Sequence, residues 1–132
     1  MLIATNSTFL IPNAINFLKI ASSKYRICII TNGVKSVQES RLSQSDILKY
    51  IDKVYISEEI GYNKPDKRFF EYVLDDLNVN NKECIVIGDS ISSDIEGAIN
   101  SNIDYILFDK DNRNDGFKGN RVCELMDLFK HI

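Results

Sequence analysis

Asp89 and Asp94 stand five residues apart, at the end of the apolar run Cys84-Ile85-Val86-Ile87-Gly88 and at the start of the next helical pattern. Two carboxylates at the carboxyl end of a buried strand suit a hard cation such as Mg²⁺. That ion is usually held by one or two carboxylates together with phosphate oxygens. Asp89 would ligate directly, and Asp94 would ligate or orient a bound water. An acid closing a wholly apolar strand is costly unless it is paired or functional. Asp94 has an equally good structural reading, because Ser93-Asp94-Ile95-Glu96 matches a capping box and Asp in a first turn suits the helix dipole. Thr31, Asn32 and Gly33 follow a second apolar run, Arg26–Ile30. A hydroxyl and free backbone N–H groups at such a place suit a phosphoryl oxygen. Taken alone, the tripeptide also reads as a plain strand-to-helix turn. Lys64 precedes a helix, where its ammonium could neutralise a phosphoryl group or crowded carboxylates. By itself, a loop lysine is a solvated one.

These residues need a scaffold that brings strand ends together. Arg26–Ile30, Cys84–Gly88 and Tyr105–Phe108 are continuous apolar runs, the mark of parallel strands covered on both faces. Lys53–Ile56 is a shorter strand. Ile11-Pro12-Asn13 opens a helix with Pro in its first turn, followed by Ala14, Ile15, Leu18 and Ala21 at helical spacing. A second helix carries Val34, Val37 and Leu42 as its apolar positions, and Ile47–Ile51 adds a short helical turn. A third helix buries Phe69, Phe70, Val73, Leu74 and Leu77. Lys64 lies outside it, because the residue before Pro65 avoids the α region. A fourth runs from about Ser93 to Asn100. The Asp-, Asn- and Gly-rich stretch Asp109–Asn120 reads as a mobile loop. Val122, Leu125, Met126 and Phe129 read as the stripe of a final helix. Alternating strands and helices give an α/β domain over residues 1–132, with Thr31 and Asp89 on one edge of a parallel sheet.

The bulk properties narrow the function. At 132 residues the chain forms one domain with a real core. A net charge of −3 argues against a general nucleic-acid binder. No apolar stretch is long enough to span a bilayer, and no signal peptide is visible. Cys28, Cys84 and Cys123 show no metal-ligand spacing, and His131 is the single histidine. They read as buried reduced thiols, which points to a cytoplasmic protein.

The order Thr31, Lys64-Pro65, Gly88-Asp89-x4-Asp94, each beside its expected element, resembles the haloacid dehalogenase-like hydrolase superfamily over about residues 10–108. The stretch Ile56–Asp66 is similar to the pyrimidine 5′-nucleotidase-like branch. The resemblance implies a Rossmann-like three-layer α/β/α core with strand order 3-2-1-4-5. It also implies Mg²⁺-dependent phosphoryl transfer to an aspartate, followed by hydrolysis. Thr31, with Asn32 and Gly33, would bind the phosphoryl group. Lys64 would steady its charge, and Asp89 and Asp94 would organise the metal.

The chain departs from that pattern at one place. The family's first motif, Asp-x-Asp-x-Thr, supplies the nucleophile and the acid/base. The nearest stretch here is Leu2-Ile3-Ala4-Thr5-Asn6-Ser7-Thr8, with Ala4 for the nucleophile, Asn6 for the acid/base and only Thr8 intact. The segment Asn6–Ile11 is also too short for a helical cap. Either the chain is the distal part of a longer hydrolase, with nucleophile strand and cap upstream, or residues 2–5 are a worn-down first strand. The first is preferred, although only Met1–Thr5 remains to fill the central slot of the sheet.

Two functions are consistent with this pattern. One is a phosphohydrolase domain for a small phosphorylated metabolite, a nucleotide among the candidates, inactive alone for want of the nucleophile. The other is a non-catalytic remnant that binds Mg²⁺ and phosphate or a protein. A receiver-like phosphoacceptor is a weaker third, since its acceptor Asp would precede the Thr and Lys. An incomplete sheet would expose strand edges and favour self-association.

Overall fold

The computed structural model describes residues 1–11 and 13–132, with the side chain of Asn6 left outside that description. The reading of Pro12 as a first-turn residue therefore lies outside the described residues. Six parallel strands form one sheet: β1 (Leu2–Thr5), β2 (Ile27–Thr31), β3 (Lys53–Ile56), β4 (Ile85–Gly88), β5 (Asp104–Phe108) and β6 (Arg121–Val122). Their order is β3-β2-β1-β4-β5-β6. The central slot is filled by Leu2–Thr5, with Ala4 level with Ile29 on one side and Ile87 on the other. Leu2–Thr5 is thus the middle strand of the sheet, the slot that reading residues 2–5 as a first strand gives it.

The α-helices are α1 (Asn6–Phe9), α2 (Ala14–Ala21), α3 (Lys35–Ser43), α4 (Ser57–Ile60), α5 (Lys67–Leu77) and α6 (Glu96–Asn100). Side chains alternate across the sheet, as period 2 demands. Leu2, Ala4, Ile29, Ile87 and Ile106 face Phe17 and Leu18 of α2, with Leu125 and Leu128 beside them. Ile3, Cys28, Ile30 and Val86 face Phe69, Phe70 and Val73 of α5 and Ala98 of α6. The strands read as continuous apolar runs because both faces are covered.

Several expectations change in detail. Of the three apolar positions expected on the second helix, only Leu42 is buried; Val37 on α3 and Val34 just before it are about half exposed. Val122 belongs to strand β6, not to a final helix. After β6 the chain enters a 3₁₀ segment, Leu125–Lys130, with Met126 exposed. Leu74 on α5 is only partly buried. Cys28 and Cys84 are buried free thiols, but Cys123 is only half covered. Burial pushes the Cys28 thiol well above its ordinary value. Among the described residues no helix is long and apolar enough to cross a membrane.

Candidate functional site

All six strands run the same way, so Thr5, Thr31, Gly88-Asp89 and Asp109 collect on one edge of the sheet. From β1, the order runs to β2 and β3 on one side and to β4, β5 and β6 on the other. This is the switch point at which open α/β sheets leave a crevice for ligands.

Lys64 and Asp94 form the centre of the site. The ammonium donates to Asp94 Oδ1 at 2.6 Å. Lys64 is 8% exposed and Asp94 1%, so the pair is largely shielded from water, with Lys64 the more open partner. The other carboxylate oxygen, Oδ2, accepts from the backbone N–H of Ser90 at 3.2 Å. Burial raises the Asp94 carboxyl above the ordinary carboxylate range, while Lys64 and the Ser90 N–H work the other way. The capping-box reading of Ser93–Glu96 does not hold. The helical segment starts a turn earlier, in the π-helical stretch Ile91–Ile95, and Ser90 is its cap, its Oγ accepting from Ser93 N–H. The turn then carries Asp94 inward, onto Lys64. Gly88 is required by this arrangement, because a Cβ there would land on the Asp94 carboxylate.

Lys64 is held by Asn32. The Asn32 side chain accepts from the Lys64 N–H and donates to the Lys64 carbonyl. Asn32 is thus spent on positioning Lys64. Gly33, at φ +137°, needs to be glycine. Its N–H donates to Ser57 Oγ at 2.9 Å. The next helix start is occupied too: Lys35 N–H donates to Glu58 Oε1 at 3.2 Å. Two of the backbone donors around Gly33, those of Gly33 and Lys35, thus already have partners on α4. Thr31 is buried, and its hydroxyl donates to the Asn32 carbonyl at 3.2 Å.

Asp89 stands apart from this network. It is exposed, and one oxygen accepts from Ser7 Oγ at 3.1 Å. Around it the end of β1 and α1 offer hydroxyls instead of carboxylates. Thr5 Oγ1 lies 2.9 Å from Thr8 Oγ1 and 3.2 Å from Ser7 Oγ. Ala4 is fully buried and contributes a methyl group to the core.

Among the described residues no three His, Cys, Asp or Glu side chains gather as a ready-made metal cage. The donor set fits a looser ion. Asp89 is a carboxylate with free oxygen capacity facing open space, and Mg²⁺ is commonly held by one or two carboxylates with waters and phosphate oxygens completing the shell. Asp94 is not equivalent to it, since both of its oxygens already take hydrogen bonds.

Sequence reasoning missed Ser7, Ser57 and Asp109. Asp109 follows the apolar strand Tyr105–Phe108 just as Asp89 follows Cys84–Gly88, so the same signal was present. Its carboxylate accepts from the N–H groups of Arg113 and Asn114, from the Asn114 amide and from Arg121 Nη1, at 2.8–3.1 Å. The segment expected to be a mobile loop is tied around this one buried side chain.

A sequence model of the haloacid dehalogenase-like hydrolase family matches residues 4–108. The chain is 36% identical over 94 residues to pyrimidine 5′-nucleotidase YjjG of Escherichia coli, covering 70% of this chain and 42% of that protein. It is 33% identical over 97 residues to glyceraldehyde 3-phosphate phosphatase of Methanothermobacter thermautotrophicus, covering 73% and 43%. It therefore spans less than half the length of these relatives. The structure of YfnB from Bacillus subtilis, solved bound to magnesium, superposes with a TM-score of 0.83 at 26% identity, covering 92% of this chain and 55% of that one. With the parallel sheet, the Lys64–Asp94 pair and a family match across most of its residues, the chain belongs to the haloacid dehalogenase-like hydrolases.

Proposed function

We propose that this chain is a phosphoryl-binding core of the hydrolase type that does not itself turn over substrate. Thr31 and Lys64 hold the phosphoryl group of a small phosphorylated metabolite, and Asp89 holds Mg²⁺ beside it. When bound, the cation supplies positive charge against the phosphoryl oxygens. Lys64 adds a second positive charge, and Asn32 and Asp94 keep its backbone and its ammonium in place.

One observation carries the reading. At the middle strand, where the family resemblance puts an attacking carboxylate, the side chain is the buried methyl of Ala4. A methyl group cannot attack phosphorus, and the nearby Thr5 and Thr8 hydroxyls are paired with each other rather than with a base. The relatives' names tell of a nucleotide and a triose phosphate as their substrates. The coarse class taken over for this chain is a small phosphomonoester.

The test is p-nitrophenyl phosphate hydrolysis with Mg²⁺, alongside titration calorimetry with Mg²⁺ and inorganic phosphate. The expected result is phosphate binding strengthened by Mg²⁺, loss of the Mg²⁺ effect in Asp89→Asn, and no turnover. Turnover that disappears in Asp89→Asn would overturn the non-catalytic reading.

A further inference from the structure

The loop tied to Asp109 leaves a cavity of about 210 Å³ beside Asp89. It is lined by Ser7 and Asp89, by Phe108 at the end of β5, and by Lys110, Asp111 and Arg113 of the segment that follows. Asp109 also borders the cavity, but its charge is already answered by Arg121 and by three N–H donors of Arg113 and Asn114. Among the described residues, Lys110 and Arg113 have no ion pair. The free charge that the segment after β5 brings to the cavity is therefore two cations against one carboxylate, Asp111, with Asp89 facing the same space. Arg113 is anchored at its backbone, since its N–H donates to Asp109 Oδ1 at 3.1 Å. Its guanidinium thus starts from a fixed point, and a guanidinium matches carboxylate or phosphate oxygens two at a time.

We infer that this cavity takes the second acidic group of a small phosphorylated ligand. Its phosphoryl group sits at the Asp89 end, and a carboxylate or second phosphate meets Lys110 and Arg113. The inference rests on the phosphoryl-binding function proposed for the chain and deepens it. Size supports the ligand class. At about 30 Å³ per water, the space equals roughly seven waters. That suits a three- or four-carbon phospho-acid or bisphosphate. It falls below the roughly 300 Å³ at which pockets for drug-sized ligands begin.

The test compares two probes that differ only in the relevant group. 3-Phosphoglycerate carries a carboxylate where glycerol 3-phosphate carries a hydroxymethyl. Affinities are measured by calorimetry with Mg²⁺ present, with inorganic phosphate as the reference. The expected result is at least a tenfold preference for 3-phosphoglycerate. That preference collapses to within twofold in Lys110→Gln/Arg113→Gln and persists in Lys130→Gln, whose side chain does not line the cavity. Both loop residues are exposed, so thermal melts serve to show that the double variant is folded. Equal affinities with inorganic phosphate still binding would overturn the inference and leave the phosphoryl cradle standing. A preference that survives the double variant would likewise overturn it. If neither probe nor inorganic phosphate binds, the cradle fails and the inference falls with it.

Discussion

The side-chain amide of Asn32 closes on the backbone of Lys64, accepting from its N–H at 2.9 Å and donating to its carbonyl at 3.1 Å. Two residues 32 apart in sequence are thereby locked into one unit at the end of β2. The ammonium of Lys64 then reaches Asp94 from a fixed backbone.

Asn32→Ala is expected to cost about 1–3 kcal/mol, since two part-buried backbone groups lose their partner. Urea unfolding measures it. A purely structural role would leave phosphate affinity in the folded variant untouched. A positioning role weakens that affinity as well, and calorimetry on folded protein separates the two. An Asn32→Asp variant keeps the acceptor for the Lys64 N–H but leaves the Lys64 carbonyl without its donor, so it should recover only part of the loss.

Removing one partner of the Lys64–Asp94 pair should be more damaging. Lys64→Met leaves a buried carboxylate alone, and such losses run to about 3–5 kcal/mol. The double variant Lys64→Met/Asp94→Leu should regain much of this, as measured in a double-mutant cycle. The pH dependence has a definite sign. Burial raises the Asp94 carboxyl, so the native chain binds this proton at higher pH than the unfolded chain does. The charged form therefore costs stability above the raised value. That cost is relieved as pH falls through the window between the raised and the ordinary value. Lys64→Met should consequently show a stability that climbs on mild acidification. A flat profile would count against a buried, unpaired carboxylate in that variant.

Gly88→Ala tests the close approach of the two motifs. The added methyl meets Asp94 Cβ and Oδ2, and Asp94 cannot move freely while Lys64 holds it. The expected penalty is about 1–3 kcal/mol, as for other overpacked sites. If a thermal melt of the variant matches the parent, the tight contact between Gly88 and Asp94 is not real.

Asp109 should make the β5–β6 connection sensitive to acid. Burial works to raise its carboxyl, but the hydrogen bonds from Asn114 and Arg113 and from the Arg121 guanidinium hold it below the ordinary range. Its contribution is fully present above the ordinary carboxylate value and is lost as pH falls through the lowered one. The protection of the amides over residues 109–120, taken relative to their intrinsic exchange rate at each pH, should fall on acidification through that range. Asp109→Asn should show the lowered protection already at neutral pH.

Much of the scaffold is legible in local pattern. Ile27–Thr31 and Ile85–Gly88 can be placed because a strand covered on both faces must be apolar at every position. The stripe Phe69, Phe70, Val73, Leu77 marks α5 for the same kind of reason. Val34 and Val37 mislead, because an apolar residue says nothing of whether a partner layer covers it, and at the start of α3 both stay about half exposed. Val122 reads as helical because periodicity cannot tell two residues of strand from a helical turn.

The amino-acid order by itself determined that Thr31, Lys64 and Asp89 follow or flank strands of a parallel sheet, and that no acid stands at position 4. Those are matters of residue type and short-range period, which a chain displays without folding. Only the tertiary structure decided how each polar group is spent. It gave Asp94 to Lys64, Asn32 to the Lys64 backbone, the Gly33 N–H to Ser57, and Asp109 to its own loop. Each of the first three bonds joins residues 24–32 apart. Such partners become neighbours only when hydrophobic burial has stacked the layers and set the strand ends side by side.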